Sequence, residues 1–352
     1  MNKVIENDLI ELSKRPIDSK KLENKAIIIF GINSLIGRYL GYYLLFINEK
    51  FNLNMKIIGT ARNIEKTKYY FKNFLSNPDF KIIIQDVENP INYTGNIDYI
   101  IDTAGYASAY HIVNQPVDII KANTIGTINI LEFAKSKNVE NVLFTSTREV
   151  YGKVIDKEKI DEKSFGSMNH IEVRNCYPES KKISENLFIS YNEQYGIPYT
   201  ILRIAHTYGP TMTLSNDGRV MSDFLNFYVN NKNIVLNSSG TAVRSFCYIT
   251  DTIYGIVLAL INSKNEIYNL SNETEPYEIK DVAEMIVNTN PKKNLKVEFN
   301  ISNDEKVKKG YNKIPVVPMD TKKIEKLGWK PNVGLAKGIN RTIQYFEMEG
   351  EH

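Results

Sequence analysis

The 352-residue chain has only two cysteines and four histidines, and both scarcities narrow what it can do. Cys176 and Cys247 match neither a metal-ligand spacing nor a disulfide framework, so buried thiols are the plain reading. The histidines are too scattered for a metal site, and no metal is expected. Long apolar runs are missing as well: "IYGIVLALI" at 253–261 falls far short of the ~20 residues of a membrane span. The N-terminal "MNKVIENDLIELSKRPIDSKKLENK" has no apolar core of the kind a secretory signal carries. Charge of one sign is not in excess, since 44 basic and 41 acidic residues leave a net charge of +3, which gives no global case for nucleic acid or an anionic membrane as partner. Neither an internal repeat nor a low-complexity segment is present. The remainder, 42% hydrophobic and 24% charged, has the composition of a soluble globular protein, expected in the cytoplasm.

Apolar strands are predicted at 27–29, "MKIIGT" (55–60), "FKIIIQDV" (80–87), "IDYIIDTA" (97–104), "NVLFTST" (141–147) and "YTILRIA" (199–205). Helical stretches such as "PVDIIKANTIGTINILEFAKSKN" separate several of them. Strands alternating with helices imply an α/β chain with a parallel, doubly wound sheet. Residues 1–24 read as an arm or surface helix, and 25–205 as a dinucleotide-binding domain. Residues 206–348 read mainly as a smaller, interleaved C-terminal α/β lobe that holds substrate.

In "FGINSLIG" (30–37), Gly31 and Gly37 stand six apart between a strand and a helix, with Ser34 midway. The spacing fits a Gly-x-x-Gly-x-x-Gly dinucleotide loop whose central glycine is serine, so Gly31, Asn33, Ser34, Leu35, Ile36 and Gly37 are candidate cofactor contacts. Glycine permits the tight turn and lets backbone amides approach a pyrophosphate at the helix N-terminus. An acid that would hold the adenine ribose is expected some 20 residues on. The second strand ends instead in "GTARN", where Arg62 favours a 2′-phosphate and therefore NADP, a surface arginine being the plainer alternative. Asp86 and Val87 after the third strand, and Ala104 and Gly105 after the fourth, complete the expected cofactor path.

"NCYPESKK" (175–182) places a tyrosine four residues before a lysine with proline directly after the tyrosine. Proline is tolerated in a helix's first turn. The recurrence of Ile183, Leu187, Tyr191 and Tyr195, ended by Gly196, predicts an amphipathic helix. Four apart on that helix, the Lys181 ammonium is expected to approach the Tyr177 phenol and lower its pKa from about 10, making it a base near neutral pH. By itself such a pair is more often a core tyrosine beside a solvated lysine.

Taken together, "FGINSLIG", "TSTREVYG" (145–152) and "YPESK" (177–181) resemble the extended short-chain dehydrogenase/reductase family of nucleotide-sugar enzymes. The resemblance runs from about residue 25 to 345. Within that family, "NTIGT" (123–127), "NDGRVMSDFL" (216–225) and "GTAVRSFCYITD" (240–251) look most like UDP-glucuronate decarboxylases. The resemblance implies a Rossmann-type domain, bound NAD with NADP left open, a nucleotide-sugar substrate, and a homodimer formed through helices that include the Tyr-x-x-x-Lys one. It assigns Tyr177 as base, Lys181 and Thr147 as its partners, and Glu149 as the acid/base residue of decarboxylases and of some 4,6-dehydratases. Arg148 occupies a position where 4,6-dehydratases usually carry an aspartate; with His206, Arg219 and Arg244 it is expected to meet substrate. Departures lie in "RIAHTYGP" (203–210), where His206 and Ala205 replace asparagine and phenylalanine, in Thr211, which replaces an arginine, and in "VVPMDTKK" (316–323), which lacks a late arginine. A decarboxylase is the leading expectation, followed by 4,6-dehydratase and then epimerase. A non-catalytic dinucleotide-binding protein is the alternative from another class.

Overall fold

The computed structural model describes residues 1–350 apart from 156, 216 and 302–316; the first residues of "NDGRVMSDFL" and "VVPMDTKK" therefore lie outside the described set. The apolar runs form strands β1 (Ala26–Phe30), β2 (Lys56–Ala61), β3 (Phe80–Ile84), β4 (Tyr99–Asp102), β5 (Asn141–Thr147) and β6 (Tyr199–Ile204). A seventh strand, β7 (Glu266–Leu270), joins them from the C-terminal half. Glu266 and Asn269 interrupt its apolar run and hide it from a search for such runs. All pairings in the sheet are parallel, in the order β7-β6-β5-β4-β1-β2-β3. The order reverses between β1 and β4, and a crevice opens at the carboxyl ends of strands at such a switch point.

Successive residues of a strand face opposite sides, so one run feeds two cores. Ile27, Ile29, Ile57, Ile101 and Leu143 pack with helices α1 (Lys3–Leu12) and α2 (Leu35–Phe51). Ile28, Phe30, Ile100, Val142 and Phe144 pack on the other face, beneath helices α3 (Pro116–Lys137) and α4 (Cys176–Tyr195). Helix α5 (Ile249–Asn262) carries the run "IYGIVLALI" and is buried on α2's side. No helix among the described residues is long and apolar enough to cross a membrane.

The N-terminal segment is more firmly placed than an arm. Ile5, Leu9 and Leu12 are buried in the main core, each contributing about 1.5–3 kcal/mol. The fully buried Asp8 carboxylate accepts from the hydroxyls of Tyr39 and Tyr248 and pairs with Arg341 of the final helix, α6 (Leu335–Glu349).

Candidate active site

At the first crevice, Gly31 has φ +77°, a conformation side chains rarely adopt, and a Cβ there would sit 2.8 Å from the Ala104 Cα. A Cβ on Gly37 would meet the Gly31 carbonyl at 2.5 Å and the Thr103 Oγ1 at 2.6 Å. Both glycines are therefore sterically required. The central serine is not a defect: Ser34 has φ −68°, ordinary for any residue, and its Oγ caps α2 by accepting from the Gly37 amide at 3.0 Å. The amides of Leu35 and Ile36 begin the helix without intrahelical partners, as first-turn amides do. Asn33 bridges to the next unit, its Nδ2 donating to Thr67 Oγ1 at 2.8 Å. This cradle, closed on both glycines and lined by helix amides, fits a dinucleotide pyrophosphate.

Further along the crevice, Arg62 is exposed at the end of β2, its guanidinium 5.0 Å from the Tyr106 ring centroid. Asp86 turns one oxygen to the Glu88 amide at 3.0 Å, and Val87 packs against Gly126 of α3. Ala104 donates its amide to Asp102 Oδ1, and Gly105 lies beneath Lys181, where a Cβ would be 3.9 Å from Nζ. Thr103, which sequence reading passed over, ties the crevice together by donating to the Phe30 carbonyl at 2.7 Å while contacting Ser34.

The second group gathers at the ends of β5 and β6. Helix α4 begins at Cys176, so Pro178 sits in its first turn and Tyr177 faces the crevice mouth, 8% exposed. Thr147 ends β5 opposite Ile204 of β6. The register thus sets Arg148 and Glu149 at the level of Ala205 and His206. Burial, with the Glu149 carboxylate, pushes the Tyr177 phenol up to about 12 against the opposing pull of Thr147, Arg219 and Arg174. Lys181 does not approach the phenol as the helical spacing suggested. Its ammonium turns inward, donates to the Thr145 carbonyl at 3.0 Å and lies 4.3 Å from the Phe144 ring centroid. Burial lowers its pKa to about 8 against the pull of Asp102 and Glu185. Asp102 is itself pushed up to about 6 by burial. A ring four residues away on a helix is a neighbour, but the long lysine chain takes the buried carbonyl that needs a donor.

Glu149 is held by a residue the sequence did not single out. Arg174 grips it with two hydrogen bonds of 2.6 and 3.1 Å. Its position, three residues before Tyr177 in the 3-10 turn that leads into α4, gives no hint of a partner 25 residues away. Arg219 is engaged by Asp217 at 2.5 and 2.8 Å and acts electrostatically on Tyr177. His206 adopts φ 45° and donates Nδ1 to the Ser245 carbonyl at 3.1 Å, leaving Nε2 as an acceptor. Burial, with Arg148 and Arg244 nearby, holds it neutral, with a pKa near 3. The structure thus brings Thr147, Arg148, Glu149, Tyr177, His206, Arg219 and Arg244 to one end of the sheet and the glycine cradle to the adjoining crevice, with Lys181 between them. Arg62, Asp86 and Val87 lie outward along β2 and β3.

A doubly wound parallel sheet with a glycine cradle at its switch point is the architecture of a dinucleotide-binding protein. This chain belongs to the NAD dependent epimerase/dehydratase family, whose model matches residues 27–271. UDP-glucuronic acid decarboxylase 5 of Arabidopsis thaliana is 33% identical over 339 residues, covering 96% of this chain and 94% of that protein. UDP-glucuronic acid decarboxylase 1 of Xenopus tropicalis is 30% identical, over 94% of this chain and 74% of its own length. The same fold occurs in the Bacillus cereus UDP-glucuronic acid 4-epimerase solved with UDP-glucuronic acid and NAD, at a TM-score of 0.77 and 22% identity, over 92% of this chain and 100% of that one. It occurs again in the Streptomyces venezuelae dTDP-glucose 4,6-dehydratase, at a TM-score of 0.76 and 20% identity, covering 92% and 97%.

Proposed function

We propose that this protein is a nucleotide-sugar lyase that decarboxylates UDP-glucuronate. The observation that carries this reading is the placement of Tyr177, Thr147 and Glu149 around one point at the end of β5, beside a cradle for NAD. The Gly31–Gly37 turn, with Thr103 and Ala104 behind it, would hold the dinucleotide. When bound, NAD supplies the acceptor for hydride from sugar carbon 4 and returns it at the end of the cycle. Tyr177, whose phenol burial holds near 12 in the unliganded site, would take the proton of the carbon-4 hydroxyl once positive charge on the bound cofactor favours its phenolate, and Thr147 would donate a hydrogen bond to the same oxygen. The resulting 4-ketone makes a carbon-5 carboxylate a β-keto acid. Its C5–C6 bond breaks with release of carbon dioxide, the electron pair passing into the enolate. Glu149, oriented by Arg174, moves the proton at carbon 5. Because Lys181 turns inward, we assign it to the cofactor side of the site and to the polarity beneath Tyr177.

The 33% identity with decarboxylases along nearly the whole chain supports this reading. Arg148 argues against a 4,6-dehydratase that protonates its leaving hydroxyl from that position, since guanidinium does not release its proton readily. The cofactor we propose is NAD, with Arg62 as the feature that would favour NADP. We also propose that the chain acts in the cytoplasm, where its two free thiols stay reduced. A homodimer through the outer faces of α3 and α4 is proposed as well, supported by exposed Ile120, Ile128, Ile183 and Ile189.

The test is product analysis by mass spectrometry. UDP-glucuronate should yield carbon dioxide and a pentose nucleotide, and Glu149→Gln should stall after oxidation with reduced nicotinamide accumulating. Loss of water from a neutral hexose nucleotide, with none of these products, would replace this reading by the dehydratase.

A further inference from the structure

The cations around Tyr177 differ in how they are satisfied. Arg174 is spent on Glu149, Arg219 on Asp217 and Arg203 on Glu185. Arg148 has no carboxylate partner among the described residues. Its guanidinium donates from Nη2 to the Val317 carbonyl at 3.0 Å. The two carboxylates whose fields reach it are committed elsewhere. Both Glu149 oxygens accept from Arg174. Those of Glu273 accept from the Ser245 and Ser271 hydroxyls at 2.7 and 2.8 Å and from the Met319 amide at 3.2 Å. The guanidinium of Arg244, whose field also reaches His206, hydrogen-bonds only the neighbouring Val243 carbonyl at 2.8 Å among the described residues.

A partly buried guanidinium without a counter-ion is costly, because removing it from water is repaid only by an opposite charge in good geometry. Burial opposes both charges, Arg148 further opposes that of Arg244, and no carboxylate bonds either guanidinium among the described residues, an arrangement suited to receive an anion. Position says which anion. Thr147 serves the oxygen on sugar carbon 4 and Glu149 serves carbon 5, and Arg148 is the residue between them. The substituent on carbon 5 therefore falls within its reach. Arg148 also delivers its charge to Val317, within the "VVPMDTKK" segment that has no arginine of its own.

We propose that Arg148 binds the carboxylate on carbon 5 of an acidic sugar, so that this chain selects uronates over neutral hexoses through a guanidinium carried on the end of β5. The inference rests on the nucleotide-sugar reading given above. A guanidinium can donate to a carboxylate through two parallel hydrogen bonds, which a lysine at the same place cannot reproduce.

Titration calorimetry with UDP, UDP-glucose and UDP-glucuronate tests it, using the intact protein and its Arg148→Gln and Arg148→Lys variants, with thermal melts to confirm folding. In Arg148→Gln the Kd for UDP-glucuronate should rise about 10- to 100-fold, as expected for a hydrogen-bonded charge pair. The values for UDP and UDP-glucose should stay within about threefold, and Arg148→Lys should recover part of the loss. Equal weakening of all three ligands would place Arg148 on the diphosphate and overturn the inference. So would a wild-type protein that binds UDP-glucuronate no better than UDP-glucose. Carbon dioxide release is measured separately. An Arg148-dependent preference without it would refute the decarboxylase reading and uphold this one, and release with an unaltered preference in Arg148→Gln would do the reverse.

Discussion

Replacing Lys181 by methionine should abolish turnover and yet stabilise the protein. Lys181 is 4% exposed, and burial lowers its pKa from 10.5 to about 8. At 1.36 kcal/mol per unit this difference corresponds to about 3 kcal/mol held against the folded state while the lysine is charged. The sign follows from linkage. Below pH 8 both folded and unfolded chains carry the proton and the full cost is present. Between about 8 and 10.5 the unfolded chain binds more protons than the folded one, so wild-type stability rises by up to about 1.4 kcal/mol per pH unit from this group. Methionine removes the cost at neutral pH, but it also removes the charge that lowers the pKa of Asp102, pushed up to about 6 by its own burial. Part of the gain is returned as that carboxylate loses its partner, leaving about 1–2 kcal/mol at pH 7. Urea unfolding of wild type and Lys181→Met at pH 7, 8, 9 and 10 reads this directly. The advantage of the variant should shrink steadily above pH 8. Parallel curves across that range, or a variant less stable at pH 7, would refute the assignment of Lys181 as a buried cation kept at a stability cost for function.

Tyr177→Phe should lower turnover by about two to four orders of magnitude without loss of folding, as for removal of a positioned general base; near-normal turnover would remove Tyr177 from that role. Gly37→Ala places a methyl within 2.6 Å of Thr103 Oγ1 and within 2.5 Å of the Gly31 carbonyl. Overpacking of about 1–3 kcal/mol should then outweigh the gain of about 1 kcal/mol in helix propensity. A lower melting temperature and less nicotinamide cofactor released on denaturation are the expected readings. Ile128→Asp combined with Ile183→Asp puts two charges on the exposed outer faces of α3 and α4, and light scattering should then report monomers; an unchanged dimer would move the interface elsewhere.

Periodicity made the sheet and the helix at Tyr177 legible because both depend on local patterns. Six strands were readable as apolar runs, five of them largely buried and the edge strand β3 partly exposed. β7 escaped because Glu266 and Asn269 break its apolar run, its pairing with β6 being a tertiary fact. The glycine spacing located the cradle, but only geometry showed that Ser34 has an ordinary backbone and caps α2. The direction of Lys181 was misread because helical spacing says which side chains are neighbours, not which buried carbonyl a long chain will satisfy. Arg174 and the commitment of Glu273 were invisible for a similar reason: partners 25 to 46 residues apart become neighbours only through the fold.

The clasp at Asp8 has a consequence for the order in which the molecule is made. Its carboxylate is satisfied by Tyr39, then by Tyr248, 240 residues downstream, and by Arg341, 333 residues downstream. During synthesis α1 emerges hundreds of residues ahead of the groups that complete its buried polar network. Until then Leu9 and Leu12 must wait beside an incompletely paired acid. Contacts of such long sequence separation close late and slowly. Final locking of α1 therefore waits for Arg341, and a nascent chain halted before residue 341 should leave α1 open to protease while β1–β6 are already protected.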